Sequence, residues 1–300
     1  MKLLIKLLFN LIIILNFINV HGQEKTDTTY WKKALKLGLN FNQASFSSNW
    51  TGGGVNSLGL NTTFNYLANY RKGNKSWDNE IDLAYGIIKR GEEGSRKSVD
   101  RIFIDTKYGI QLSDKWNLYF AGNLLSQFTD GFNYDVKSAN GEVKDSLIST
   151  FFAPAFVTFS IGVEMKPTDF FKIRISPISP RFTIVANDKL SDLGAYGVDP
   201  GEHIRNEYLA FQFTANFEKE IATNLNLKWR YLLFLNYQDP SFDQWDQRLD
   251  ISFNAKVNSF LVVNLGSVVF FDSDQIDEVQ LNQFFNLGLT YVIKNYEDKK

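Results

Sequence analysis

Residues Trp77–Arg90 read WDNEIDLAYGIIKR. Asp78, Glu80 and Asp82 fall between Trp77, Ile81, Leu83, Tyr85 and Ile87, so polar and apolar side chains alternate with a period of two. That period belongs to a β-strand with one oily and one wet face, because successive strand side chains point to opposite sides. An acid-rich wet face suits either a solvent surface or a water-filled interior. The rest of the chain decides between them.

The same alternation recurs from Ala34 onward. In ALKLGLNF, Leu35, Leu37, Leu39 and Phe41 oppose Lys36, Gly38 and Asn40. In LGLNTTFNYLANY, Leu58, Leu60, Phe64, Tyr66 and Tyr70 oppose Gly59, Asn61, Thr63 and Asn65. Further alternating stretches occupy Arg101–Leu112, Trp116–Phe128, Phe151–Met165, Phe170–Ile178, Glu207–Lys219, Leu225–Tyr237, Arg248–Val257, Phe260–Phe271 and Val279–Lys294. Turn signals between them give about twelve strands. The connections alternate too. RKGNKS, SDK, PTD, AT and NS are short; most others, such as GFNYDVKSANGEVKDSLIS and DKLSDLGAYGVDPGEHIRN, are longer. Tight turns at one end and long loops at the other are the habit of outer-membrane barrels. Aromatic residues gather near both ends, Tyr70, Trp77 and Trp116 by the short turns and Phe128, Tyr208 and Tyr237 by the long loops. Amphipathic rings prefer two such interfacial depths.

Composition fits this picture. Aromatics make up 15% of the 300 residues and charged residues 22%, with a net charge of −1. Nothing in that balance attracts nucleic acid. The chain has no Cys, so disulfides do not staple it. Residues 1–22, with Lys2 and Lys6 before an apolar Leu7–Ile18 core, read as a secretory signal peptide. That leaves residues 23–33 as a short periplasmic segment, 34–294 as the barrel and 295–300 as a periplasmic tail. The fold class expected is all-β, an up-and-down antiparallel transmembrane β-barrel of about twelve strands with both termini in the periplasm. Trp77, Ile81, Leu83, Tyr85 and Ile87 then meet lipid, and the acids line a lumen. A soluble sandwich or lipocalin-like binder would reverse the faces.

Inward positions on this reading form two walls. Asp78, Glu80, Asp82 and Asp105 make an acidic wall on strands three and four. Lys172, Arg174, Lys228, Arg230, Arg248 and Lys256 make a basic wall on strands seven, nine and ten. In a ring of twelve, strand three lies opposite nine and four opposite ten. Twelve strands spaced about 4.8 Å apart and tilted about 40° enclose roughly 24 Å of backbone diameter. Side chains from both walls then either set a transverse field or meet as ion pairs that narrow the lumen. Arg101 and Lys107 on the acidic side and Asp250 on the basic side favour the narrow or plugged form.

Other constellations carry less. Trp50 followed by Gly52, Gly53 and Gly54 suits a plain turn or a loop folding back as a plug. Asp272, Asp274, Asp277 and Glu278 offer hard oxygens to calcium, but without the glycine and length of an EF-hand loop. His203 is the sole histidine after the leader and sits in a polar loop, with no serine in a nucleophile-elbow context. No catalytic residue and no cofactor is assigned.

Asn49-Trp50 with Gly52 and Gly53, then WDNEIDLAYG, FAPAF at Phe152–Phe156 and GAYGVDPGEHIRNE at Gly194–Glu207, stand in one order. Together they resemble domain-of-unknown-function family 3078, outer-membrane β-barrels of diderm bacteria. The resemblance runs from about Trp31 to Asn295 and implies a barrel in the outer membrane, without an activity or catalytic residues. The expected function is a non-enzymatic barrel, either a narrow pore for small solutes or a scaffold binding other envelope proteins through Asp130–Ser149 and Asn187–Asn206. The alternatives are a barrel enzyme acting on lipid or lipopolysaccharide and the soluble binder.

Overall fold

A computed structural model describes residues 30–44, 56–91, 94–137, 143–238, 241 and 245–297. The leader and the Trp50 to Gly54 plug candidates lie outside these. Trp31 opens the compact unit that holds all the strands.

The strands are β1 (Trp31–Ala44), β2 (Ser57–Lys72), β3 (Lys75–Arg90), β4 (Ser95–Gln111), β5 (Trp116–Ser126), β6 (Gly131–Lys137), β7 (Val143–Ser149) and β8 (Ala155–Thr168). They continue as β9 (Phe171–Ile178), β10 (Arg181–Ile184), β11 (Ile204–Glu207), β12 (Ala210–Ala222), β13 (Leu225–Asn236), β14 (Asp246–Lys256), β15 (Leu261–Asp272) and β16 (Ile276–Lys294). Twelve of them, β1 to β5, β8, β9 and β12 to β16, hydrogen-bond in one antiparallel ring. The first strand pairs with the last, Ala34 opposite Lys294 and Phe41 opposite Leu287. The ends are tied further: Lys33 N–H donates to Asn295 Oδ1 at 2.7 Å, and Asn295 Nδ2 to the Trp31 carbonyl at 3.1 Å. A closed ring leaves no edge strand with unpaired backbone groups.

β10 and β11 are the outer ends of two ring strands. β10 continues along β8 after a one-residue register shift near Ile161, and β11 pairs β10 as β12 pairs β9. Expectation ended this strand at Ile178. Proline lacks an N–H and is confined to irregular positions in sheets, and here the strand bends at Ser179–Pro180 and resumes at Arg181.

Other boundaries also moved. β4 starts at Ser95 rather than Arg101, because a register shift at Gly86/Ile87 breaks the alternation that marks its start. β16 starts at Ile276, so DSDQIDE is mostly strand and tight turn rather than a longer loop. The two long loops are built, too. Residues 130–149 contain the β6–β7 hairpin. Residues 187–206 contain helix α1 (Asp188–Asp192), capped by the Asn187 side chain, which accepts from the Leu190 N–H. Leu190 and Val198 pack with Ala153 and Val185 in a small apolar cluster, and Tyr196 O–H donates to the Ile148 carbonyl. Burial, then the nearby Asp272 carboxylate, push the Tyr196 phenol up to about 12. This cap sits at the long-loop end.

Register fixes the two faces. One holds the even residues of β1, β3, β8, β9 and β12 to β16 with the odd residues of β2, β4 and β5. This is the inner face, since its side chains meet across the ring: the Arg230 guanidinium on β13 lies 5.6 Å from the Phe103 ring centroid on β4. The opposite face is oily and uncovered, exposing Ile104, Phe120, Phe159, Leu265, Phe285 and Leu287. Rings gather at both of its ends. Trp31 contacts Tyr70 and Trp77 at 5.2 and 5.8 Å, and Phe217 stacks on Trp229, by the short turns. Phe182 with Tyr208 and Tyr85 with Phe128 sit by the long loops.

Candidate functional site in the lumen

The densest charge cluster is centred on a residue that neither expected wall contained. Glu164 lies on β8, on the inner face beside Arg174 of β9. Its side chain is 1% exposed and accepts Lys107 Nζ at 2.7 Å, Arg174 Nε at 2.8 Å and Lys166 Nζ at 3.0 Å. Three cations around one carboxylate satisfy a charge that would be costly alone in so dry a place. Lys107 also reaches Asp78 at 3.3 Å, and Arg71 binds the other Asp78 oxygen. The cluster therefore spans β2, β3, β4, β8 and β9. Tyr119 and Ser176 share a hydrogen bond beneath it, and the Arg174 guanidinium lies 5.7 Å from the Tyr119 ring centroid. Farther along, Ser160 donates to Gln212 at 2.8 Å.

Every residue of the two expected walls lies on the inner face by register, but the walls do not simply confront each other. Glu80 accepts from Asn65 Nδ2 at 3.0 Å, and Asp82 pairs with Arg101 at 3.5 Å, both close neighbours in the sheet. Arg248 grips Asp250 on its own strand with two bonds of 2.8 and 2.9 Å. Arg230 stacks on Phe103, and Asp105 is its main carboxylate neighbour. Lys172, Lys228 and Lys256 stay exposed, with Lys228 3.9 Å from Glu218. Local pairing prevails because neighbouring strands lie about 5 Å apart whereas opposite walls must reach across the whole lumen. Glu164 was readable: it shares parity with Thr158 and Ser160 on an alternating stretch.

The inner face is uneven. On β4, β5, β8, β9 and β12 its side chains are packed away: Phe103, Lys107, Tyr119, Glu164, Ser176 and Gln212 are buried. On β16, β1 and β2 the inward carboxamides Asn282, Asn286, Asn40, Asn42 and Asn61 keep partial or full exposure. Glycines flatten this side. Gly38, Gly59, Gly86 and Gly288 lie against Thr63, Asn42, Asn61 and Asn40, and an added Cβ would overlap those side chains. The barrel interior is thus filled on one flank and exposed on the other.

At the long-loop rim, Arg181 of β10 binds Asp246 of β14, and Arg205 of β11 binds Asp274 in the β15–β16 turn. Asp272 is occupied by the Asp274 N–H at 3.0 Å and Gln275 Nε2 at 2.7 Å, while Asp277 and Glu278 are exposed on β16. Among the described residues no group of three or more His, Cys, Asp or Glu is placed to hold a metal. The His203 ring makes a 2.8 Å hydrogen bond with the Val185 carbonyl and stands 3.6 Å from Asp188, which ties down the cap.

Residues 41–132 match the family model described as Protein of unknown function (DUF3078). That is the family the motifs resemble. The DUF3078 match takes in Asn49-Trp50, the glycines and WDNEIDLAYG, and stops short of FAPAF and GAYGVDPGEHIRNE. Among curated proteins nothing matches. Similar solved structures include an outer-membrane channel from Pseudomonas putida F1, 10% identical, covering 91% of this chain and 98% of that one with a TM-score of 0.41. The translocator domain of the autotransporter NalP from Neisseria meningitidis is 10% identical, with 94% and 93% covered and a TM-score of 0.38. The toluene transporter TodX of Pseudomonas putida is 9% identical, with 88% of each chain covered and a TM-score of 0.31.

Proposed function

We propose that this protein is an outer-membrane β-barrel, exported by residues 1–22, with its termini in the periplasm and a narrow lumen that passes small solutes. A closed ring with an oily exterior and aromatic belts at two depths supports the membrane placement, since only a closed sheet satisfies its backbone in lipid. The observation that carries the pore is the uneven interior: exposed Asn42 and Asn282 and half-buried Asn40 face a lumen whose other flank is packed around Glu164. A barrel that served only as a wall would have no use for a flank of hydrated carboxamides.

Single-channel recording in a planar bilayer tests this. Discrete steps from folded, inserted protein are expected, and steady silence refutes the pore. A scaffold is the second reading. The ordered cap favours it, because α1 leads into Leu193, 77% exposed at the outer rim, where an apolar side chain offers a partner a contact.

A further inference from the structure

Three lysines stand on the open flank of the lumen. Lys36 of β1, Lys228 of β13 and Lys256 of β14 all point inward by register, and all three are exposed. They act on one another: the charged neighbours of Lys36 are Lys228, Glu218, Lys256 and Asp82. Of the two carboxylates, Asp82 is engaged by Arg101, and Glu218 is 62% exposed at 3.9 Å from Lys228. Glu80 lies beside Asp82 and accepts from Asn65, the residue opposite Lys36, so with Arg101 four cations face three carboxylates and one positive charge is left over. Contrast this with the packed flank, where Lys107, Lys166 and Arg174 all converge on Glu164. Cations locked onto a buried carboxylate hold a wall together, whereas solvated ones set a potential for whatever passes. Asn40, Asn61, Asn286, Gly38, Gly59 and Gly288 on the neighbouring wall compete with neither sign.

We infer that the conducting path runs off-axis along β13 to β2 and that Lys36, Lys228 and Lys256 form an anion-selective constriction within it, for small solutes bearing a carboxylate or phosphate. This rests on the pore reading and names its substrate class. The lysines do not bind tightly. In water a unit charge at about 8 Å changes an ion's local concentration by roughly twofold, and oppositely for the counter-ion. Three such charges make a clear preference.

The test is the reversal potential of the full mature protein in a planar bilayer under a potassium chloride gradient, repeated with potassium phosphate and acetate. Chloride over potassium selectivity is expected. Lys36→Gln should lower the anion-to-cation permeability ratio about two- to fivefold, and Lys36→Glu further. Lys219→Gln, outward on β12, should leave the ratio at the parental value. Heat-modifiable gel mobility reports that each variant is folded. Conduction that is cation-selective, or a ratio unmoved in folded Lys36→Gln and Lys256→Gln, overturns the constriction and leaves the pore standing. Silence from inserted parent protein overturns the pore and the constriction together.

Discussion

Replacing Glu164 with Gln should be among the most damaging single changes to the barrel. The substitution keeps shape and removes one charge. In the folded protein that charge answers Lys107 at 2.7 Å, Arg174 at 2.8 Å and Lys166 at 3.0 Å. Lys107 is 3% exposed and retains only Asp78 at 3.3 Å once Glu164 is neutral. Breaking a buried pair by removing one partner costs about 3–5 kcal/mol, because the other charge is stranded. Lys166 can swing to water and adds little. The expected loss is therefore about 3 kcal/mol, the lower end of that range. Urea unfolding from phospholipid vesicles, followed by tryptophan emission and by gel mobility, measures it. The double variant Glu164→Gln with Lys107→Met should recover part of the loss, since it strands one cation fewer. A single variant within about 0.5 kcal/mol of the parent, the scatter of ordinary surface substitutions, refutes the account of a dry, ion-paired flank.

Gly162→Ala should destabilise by at least about 1–3 kcal/mol, because the new Cβ overlaps the Ile175 carbonyl and Ser176 Cα at the β8–β9 irregularity. Gly266→Ala should cost less, since its obstacle is the free-ended Phe284 ring; the same urea titration ranks the two. Ile104→Arg places a charge on the oily face and should cost about 2–4 kcal/mol at mid-membrane depth, read by folding yield into vesicles; a neutral result refutes lipid contact there. Tyr196→Phe removes the bond to the Ile148 carbonyl and should loosen the cap by about 1 kcal/mol, seen as faster proteolysis within residues 187–203 while the ring stays intact.

Much of this architecture was legible because a membrane barrel writes its geometry in a period of two. Trp77–Arg90 alone separates the faces, and the strand parity it sets carries around all twelve ring strands. Reading failed where parity was interrupted. Pro177 and Pro180 concealed the resumption of a strand at Arg181, and a register shift near Gly86 concealed the start of β4. Residues 187–206 looked like plain loop because a five-residue helix and a four-residue strand are too short to show a period. Within the lumen, alternation shows which side chains point inward but not which ones touch. Contact depends on shear, which brings Lys107 beside Glu164 across an intervening strand. Two opposed walls were therefore expected where the chain builds one buried, ion-paired cluster and one exposed flank. The surplus of Lys36 was invisible for the same reason, as it appears only when its neighbours from β13 and β14 are known.

The pairing of β1 with β16 has a consequence for how the molecule comes into being. Phe41 must find Leu287, a partner nearly the whole chain away. Until that happens, each end strand presents a bare row of amide and carbonyl groups, and the sheet is a ribbon open to any other strand. Closure is a single late event that no local segment can perform for itself, and contacts so distant along the chain form slowly. A chain cut short of Asn295 loses the three hydrogen bonds that latch Trp31 and Lys33. The half-made ribbon is then a substrate for whatever in the envelope recognises unpaired strands, helper or protease alike.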